Sequence, residues 1–258
     1  MTNYEIPQLP DRLQKPRHAG LTMVMDKGLS MRQAEDLVSI AAPYIDFLKL
    51  GWSTSYLTPN LADKITLYQQ AGISVFFGGT LMEVFIARNA FDDFRRLLDR
   101  FALSHVEVSS GSLDLSLEDK VGYIRRLKTH FTVLSEIGSK DSSKIMAPYL
   151  WVEHIRAELD AGSTLVITEA RESGTVGIYR PTGEIRTGLI DEILHAIPAD
   201  KLLFEAPHKA QQTWFIKLLG PNVNLGNIDP NDIIGLETLR LGLRGDTFFD
   251  FLSPIDAN

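Results

Sequence analysis

The sequence predicts an α/β fold built as a single (β/α)8 TIM barrel, and three observations carry that expectation. Eight short apolar runs alternate with amphipathic segments along the chain, no Pro/Gly/Ser-rich linker separates them, and charged residues gather where each run ends. A length of 258 residues suits the architecture, since such barrels run to about 250 residues as one unit. One domain is expected over 1–258, with 1–19 as an N-terminal extension ahead of the first run.

The runs occupy 21–25, 45–50, 73–77, 105–108, 131–137, 164–168, 201–204 and 223–228. Each is rich in Val, Ile, Leu or Phe and too short for a buried helix, the pattern of a parallel strand covered on both faces. Helical segments with start signals lie between them. Ser30 precedes 31–43 with Gln33 three residues on, a capping box. Thr58-Pro59 opens a segment that exits at Gly72, Ser116 precedes another with Asp119 in third place, and Asp229-Pro230 opens the last. Further helices are expected over 82–101, 148–161, 187–197 and 208–219. A doubly wound open sheet would place a G-x-G-x-x-G turn after its first strand, but Asp26-Lys27-Gly28 stands there.

Composition narrows the function classes. The balance of 26 Lys+Arg against 33 Asp+Glu gives a net charge of −7, which disfavours a nucleic-acid surface. A small anionic substrate stays open, because a few cations focused in one cleft outweigh a diffuse negative surface. With no cysteine there is no disulfide, thiolate metal site or cysteine nucleophile. No apolar run approaches the roughly 18 residues of a membrane span, and the first twenty residues do not read as a signal peptide. A cytoplasmic homo-oligomer with no nucleic-acid or membrane partner is expected.

In a barrel of this kind the active site forms at the C-terminal ends of the strands. Glu107, Glu136 and Glu169 end three consecutive runs, with Glu205 ending the next. Neighbouring strands lie about 4.8 Å apart, so these carboxylates could converge on one hard divalent cation. Pairing with nearby cations is the alternative reading of each. Lys27, Lys49, Lys140, Arg171 and Lys209 stand in or just after strand ends. An unpaired ammonium is costly to bury, so these cations must meet either the glutamates or an anionic ligand. Gly78-Gly79-Thr80 and Asn224-Leu225-Gly226-Asn227 permit close backbone approach. Barrels often bind phosphate after their seventh and eighth strands, which favours Gly226 and Asn227 as backbone donors. The six histidines form no H-x-x-x-H pair, and no G-x-S-x-G elbow is present.

The same strand ends carry a family likeness. DKG (26–28), KLGWSTS (49–55), GGT-x-x-E (78–83), VEVS-x-G (106–111), E-x-G-x-K (136–140), TEARESGTVGI (168–178), FEAPHKAQQ (204–212) and the stretch from GPNVNLGNI to LETLRLGLRGDT (220–247) resemble the phosphosulfolactate synthase family. That resemblance implies a Mg²⁺-dependent barrel joining sulfite to phosphoenolpyruvate, an early step toward coenzyme M in archaea. It implies Lys140 as general acid, with Lys49 and Arg171 catalytic. Lys27, Gly79, Lys209, Asn224, Gly226 and Asn227 would bind substrate, and Glu107, Glu136 and Glu169 would hold the metal. The family commonly has Gly where this chain has Ser53. Two other readings remain: an aldolase-type barrel with a Schiff base on Lys140 or Lys49, and a non-catalytic relative like the plant heat-stress-associated proteins. The full set of strand-end charges disfavours the second.

Overall fold

All eight expected runs become strands: β1 (Thr22–Asp26), β2 (Phe47–Leu50), β3 (Ser74–Phe77), β4 (His105–Val108), β5 (Thr132–Ile137), β6 (Ser163–Thr168), β7 (Leu202–Glu205) and β8 (Leu225–Ile228). The structure, a computed structural model, describes residues 3–139 and 146–252. Among these, nine helices follow or link the strands: α1 (Met31–Ala41), α2 (Leu61–Gln70), α3 (Gly79–Ile86), α4 (Phe91–Arg100), α5 (Leu117–Leu127), α6 (Pro148–Ala161), α7 (Thr187–Ala196), α8 (Lys209–Leu219) and α9 (Ile233–Arg240). The strands are parallel and run in the order β3-β2-β1-β8-β7-β6-β5-β4, so the sheet curls until β3 and β4 lie side by side. That is the predicted (β/α)8 barrel. Above this seam the Gly79 N–H donates to the Glu107 carboxylate at 2.7 Å, a side-chain bond that ties the end of β3 to β4.

Strand side chains alternate between two apolar layers, as the period of two requires. Leu21, Met23, Phe47, Phe76, Leu134, Leu165, Ile167 and Leu203 fill the barrel interior. Residues one position away, such as Val24, Leu48, Val75, Val106, Val133, Val166 and Phe204, meet the surrounding helices. One step up the inward-facing rows, Met25, Lys49, Gly78, Glu107, Glu136, Glu169 and Glu205 replace the apolar layer with a polar one. The same periodicity that fills the core therefore aims these groups at the C-terminal mouth.

Local signals held at some helix starts and failed at others. Ser30 and Gln33 form the expected reciprocal capping box, and Ser116 caps α5 by accepting from the Asp119 N–H. The segment expected as one helix over 82–101 is two, because the chain turns between Ala87 and Ala90 with Asn89 left-handed at φ 55°. Pro59 lies ahead of α2, whose first residue is Leu61. Asp229 holds a turn through Asn231 and α9 begins only at Ile233.

The N-terminal segment covers the opposite, N-terminal end of the barrel. Arg12 pairs with Glu237 at 2.7 Å, and Arg17 pairs with Asp46 at 2.7 Å. Lys15 donates to the carbonyls of Ala42, Ile45 and Gly72. Asn224 belongs to this end as well: its amide accepts from the Leu21 N–H and donates to the Leu202 carbonyl. The expectation that Asn224 binds substrate is thereby corrected, since it precedes β8 while the mouth lies beyond it.

Between β5 and its helices, Lys120 sits buried and reaches both Glu158 and the Glu136 carbonyl at 2.6 Å. Removing one member of a buried pair leaves the other charge uncompensated. Lys120→Met is expected to cost about 3–5 kcal/mol in urea unfolding. The double variant Lys120→Met with Glu158→Met should recover most of that loss.

Candidate active site

Lys49 organises the mouth. It emerges from the middle of β2, is buried, and its ammonium lies 2.9 Å from Glu107, 3.0 Å from Glu136 and 3.4 Å from Glu205. These carboxylates come from β4, β5 and β7, so four strands converge on one cation. Glu205 also accepts from the Ala170 N–H at 2.8 Å, and Glu169 accepts from the Arg171 N–H at 2.6 Å. Burial by itself would lower the Lys49 pKa, but the three carboxylates outweigh it and raise it well above its ordinary value. The acids carry the opposite strain. Burial raises Glu107 against the pull of Lys49, and burial together with the neighbouring Glu136 pushes Glu205 up to about 7.

These groups line a cavity of about 410 Å³ walled by Trp52, Thr80, Ser112, Arg171, Glu172 and Asn227. Trp52, Ser53, Arg171 and Asn227 all take φ between 53° and 56° without being glycine. Left-handed backbone in such residues concentrates at functional sites, where the surrounding structure holds it in place. At position 53, where the family commonly has Gly, Ser takes the conformation that glycine adopts without strain. A second hollow of about 500 Å³ beside Trp151 presents Arg180 and Arg186 but none of the strand-end carboxylates. The converging mouth is therefore the candidate active site.

Sequence reasoning missed the group that shapes one wall. Glu83 on α3 is almost fully buried and accepts from the N–H groups of Gly111, Ser112 and Leu113 and from the Ser109 hydroxyl. It holds the loop after β4 in place and with it Ser112 on the cavity wall. The spacing GGT-x-x-E was visible, but no local signal showed that the glutamate points back into its own fold.

Of the expected site residues, Lys49, Glu107, Glu136, Glu169, Arg171 and Asn227 meet at this cavity. Lys27 stands at an adjoining hollow of about 260 Å³, pairs with Asp229 at 3.3 Å and lies over the Trp52 ring. Gly79 supports Glu107 from behind. Gly226 faces the barrel interior, where an added Cβ would collide with the Leu203 and Met23 side chains. Lys209 is exposed and paired with Asp246 at 3.0 Å. Lys140 lies outside the described residues. The glutamate trio is divided: Glu107 and Glu136 face Lys49, while Glu169 is turned to the Arg171 backbone. Among the described residues, no three His, Cys, Asp or Glu side chains gather as a ready metal cage.

A (β/α)8 barrel with buried, mutually perturbed ionisable groups at its C-terminal mouth has the arrangement of a barrel enzyme's active site. Comparison with known proteins narrows this. The family model described as (2R)-phospho-3-sulfolactate synthase (ComA) matches residues 10–246. The chain is 43% identical to the phosphosulfolactate synthase of Bacillus subtilis, over 94% of this chain and 97% of that one. It is 41% identical to that of Methanocaldococcus jannaschii, over 89% and 94%. The plant protein HEAT-STRESS-ASSOCIATED 32 of Arabidopsis thaliana is 24% identical over 89% of this chain and 88% of that one. Among solved structures, 3-hexulose-6-phosphate synthase from Salmonella typhimurium superposes with a TM-score of 0.58 at 10% identity, over 87% of this chain and all of the other, a likeness of fold alone. The chain belongs to the phosphosulfolactate synthase family and is an enzyme of that lyase type.

The raised Glu205 carboxyl has a measurable consequence. Its folded pKa of about 7 lies above the ordinary 4.5, so the folded state keeps a proton that the unfolded chain releases. Its contribution to stability is full below 4.5 and is lost as pH rises through about 7. Glu205→Gln should remove that loss, so thermal melts of the variant should gain on wild type as pH rises across this window. Parallel melting curves for the two proteins would show that Glu205 titrates normally.

Proposed function

We propose that this chain joins sulfite to phosphoenolpyruvate to give phosphosulfolactate, with Mg²⁺ assistance and a lysine general acid. The observation that carries the reading is the cluster of Lys49 with Glu107, Glu136 and Glu205 at the mouth of a chain 43% identical to a phosphosulfolactate synthase.

The donor chemistry of the cavity fits a hard cation. Among the described residues three carboxylates face the Lys49 ammonium, and both proposed substrates are anions. Mg²⁺ takes one or a few carboxylates together with substrate oxygens and water, so it needs no preformed cage. Glu136 and Glu169, which end adjacent strands, would hold it with Glu107. When bound it supplies Lewis-acid stabilisation of negative charge on substrate oxygens.

The protein's own groups do the rest. Arg171 at the rim grips an oxyanion through its planar fork, and Lys27 adds positive charge beside it. Lys49 stays protonated, fixes the carboxylates and opposes charge accumulating on the substrate. As sulfite forms the carbon–sulfur bond at the methylene carbon, the double-bond electrons move toward the substrate carboxylate. Lys140 then delivers a proton to the carbon that bears phosphate. A Schiff base on Lys49 is disfavoured, because a nucleophilic amine must be neutral and the surrounding carboxylates hold this one charged.

Sulfite consumption should depend on phosphoenolpyruvate and stop on EDTA treatment, returning with Mg²⁺ or Mn²⁺. Glu136→Gln or Glu169→Gln should raise the metal concentration required. Full turnover after EDTA would leave the glutamates as ion-pair partners alone. Lys140→Ala should lower turnover by roughly 10²–10⁴-fold with a modest change in apparent affinity, the usual range for a positioned proton donor. Lys140→Arg should fail to rescue it, since guanidinium holds its proton too tightly. Near-normal turnover in the Arg variant would remove Lys140 from catalysis.

A further inference from the structure

We propose that the side-chain amide of Asn227 is a specificity-determining contact, donating a hydrogen bond to an oxyanion of phosphoenolpyruvate in the mouth cavity. The proposal deepens the reading above and rests on it for the identity of the ligand. Three independent observations lead to it.

Asn227 is 6% exposed, yet its Oδ1 has no hydrogen-bond partner and its amide bonds to no described residue. Buried amides are costly to leave unsatisfied, so each one needs an explanation. The contrast within the same segment is sharp. Asn222 accepts from the Leu13 N–H and donates to the Asp11 carbonyl, and Asn224 is satisfied at both ends. Only the third asparagine of this short stretch, the one beyond the barrel's lower end, is left for a ligand.

The backbone has been bent to aim it. On β1, Thr22 pairs with Leu225 and Val24 with Ile228, so three steps along β8 match two along β1. The extra residue makes a bulge, and Asn227 sits in it at φ 54°. Bulges beside active sites redirect a side chain off the ladder. Here Ile228 returns to the helix-facing core while Asn227 faces the cavity.

Its position and chemistry then select the partner. Asn227, Met25 and Glu172 form the partition between the cavity of about 410 Å³ and the adjoining one of about 260 Å³. Lys49 is already engaged by three carboxylates, so an anion entering this acidic space needs donors that bring no further negative charge. A neutral amide does so. A half-turn of its terminal torsion presents either N–H or C=O, so the ligand chooses the end it meets. The isosteric Asp would repel the same anion.

A purely conformational role is the competing explanation, because asparagine tolerates left-handed backbone better than most residues. A glycine at this position would serve that role equally well, which makes Asn227→Gly the deciding variant. Phosphoenolpyruvate binding is measured by calorimetry for wild type, Asn227→Gly and Asn227→Asp, alongside melting temperature and, with sulfite, KM and kcat. In Asn227→Gly the melting temperature should hold. Affinity should fall and KM should rise by roughly tenfold to a hundredfold, the loss of one hydrogen bond to a charged group, while kcat changes less. Asn227→Asp should lose more. Binding within twofold of wild type in either variant overturns the proposal, and so does a wild-type protein that fails to bind phosphoenolpyruvate. Wild-type binding without sulfite consumption overturns the proposed reaction and leaves the contact standing if the variants lose affinity as stated.

Discussion

A lysine buried inside a barrel is an expensive object, and much of the upper half of this molecule is arranged around making Lys49 tolerable. Moving an ammonium out of water costs several kcal/mol even after relaxation, and only well-placed counter-charges and hydrogen bonds offset it. No neighbour in sequence can provide them, because strand neighbours alternate faces and Leu48 and Leu50 point to the helices. The compensation comes across the ring, from Glu107, Glu136 and Glu205 on three other strands. Closing the barrel and satisfying Lys49 are therefore one constraint.

The crowding of carboxylates around Lys49 also shifts their titration. With one ammonium facing three acids among the described residues, Glu107 and Glu205 rise above their ordinary range, chiefly through burial. Buried acids in this condition hold their protons more tightly than exposed ones. Arg171 and Asn227 are both held in left-handed backbone at the cavity wall. The clamp of Glu83 on the loop after β4 fixes a third wall from behind.

Stability is concentrated at the other end. Arg12, Arg17 and Lys15 bind the N-terminal segment across the lower face. Arg240, fully buried and lowered to about 9 chiefly by that burial, donates to the carbonyls of Pro221 and Val223 at 2.7 Å. These contacts satisfy backbone groups that β8 and its approach would otherwise bury unpaired. The division matches the usual one in barrels, with structural polar groups at the strand starts and functional ones at the strand ends.

The sequence by itself determined the element order, the closed barrel and the family, because these follow from periodicity and from residues close together in the chain. Apolar runs of strand length, the Ser30 capping box and motifs such as E-x-G-x-K are all local. It also placed Lys49, Glu107, Glu136, Glu169 and Arg171 at one mouth, since strand ends in a barrel have only one place to go. Partnership was beyond it. Whether Glu107 meets Lys49, whether Asn224 or Asn227 faces the cavity, and what Glu83 holds depend on which strands are opposite and on a one-residue bulge in β8. Within NVNLGN the asparagines look alike as text. Only the three-dimensional register satisfies Asn222 and Asn224 at the base of the barrel and carries Asn227 past the bulge to the cavity, because hydrogen-bond geometry is set by neighbours far away in the chain.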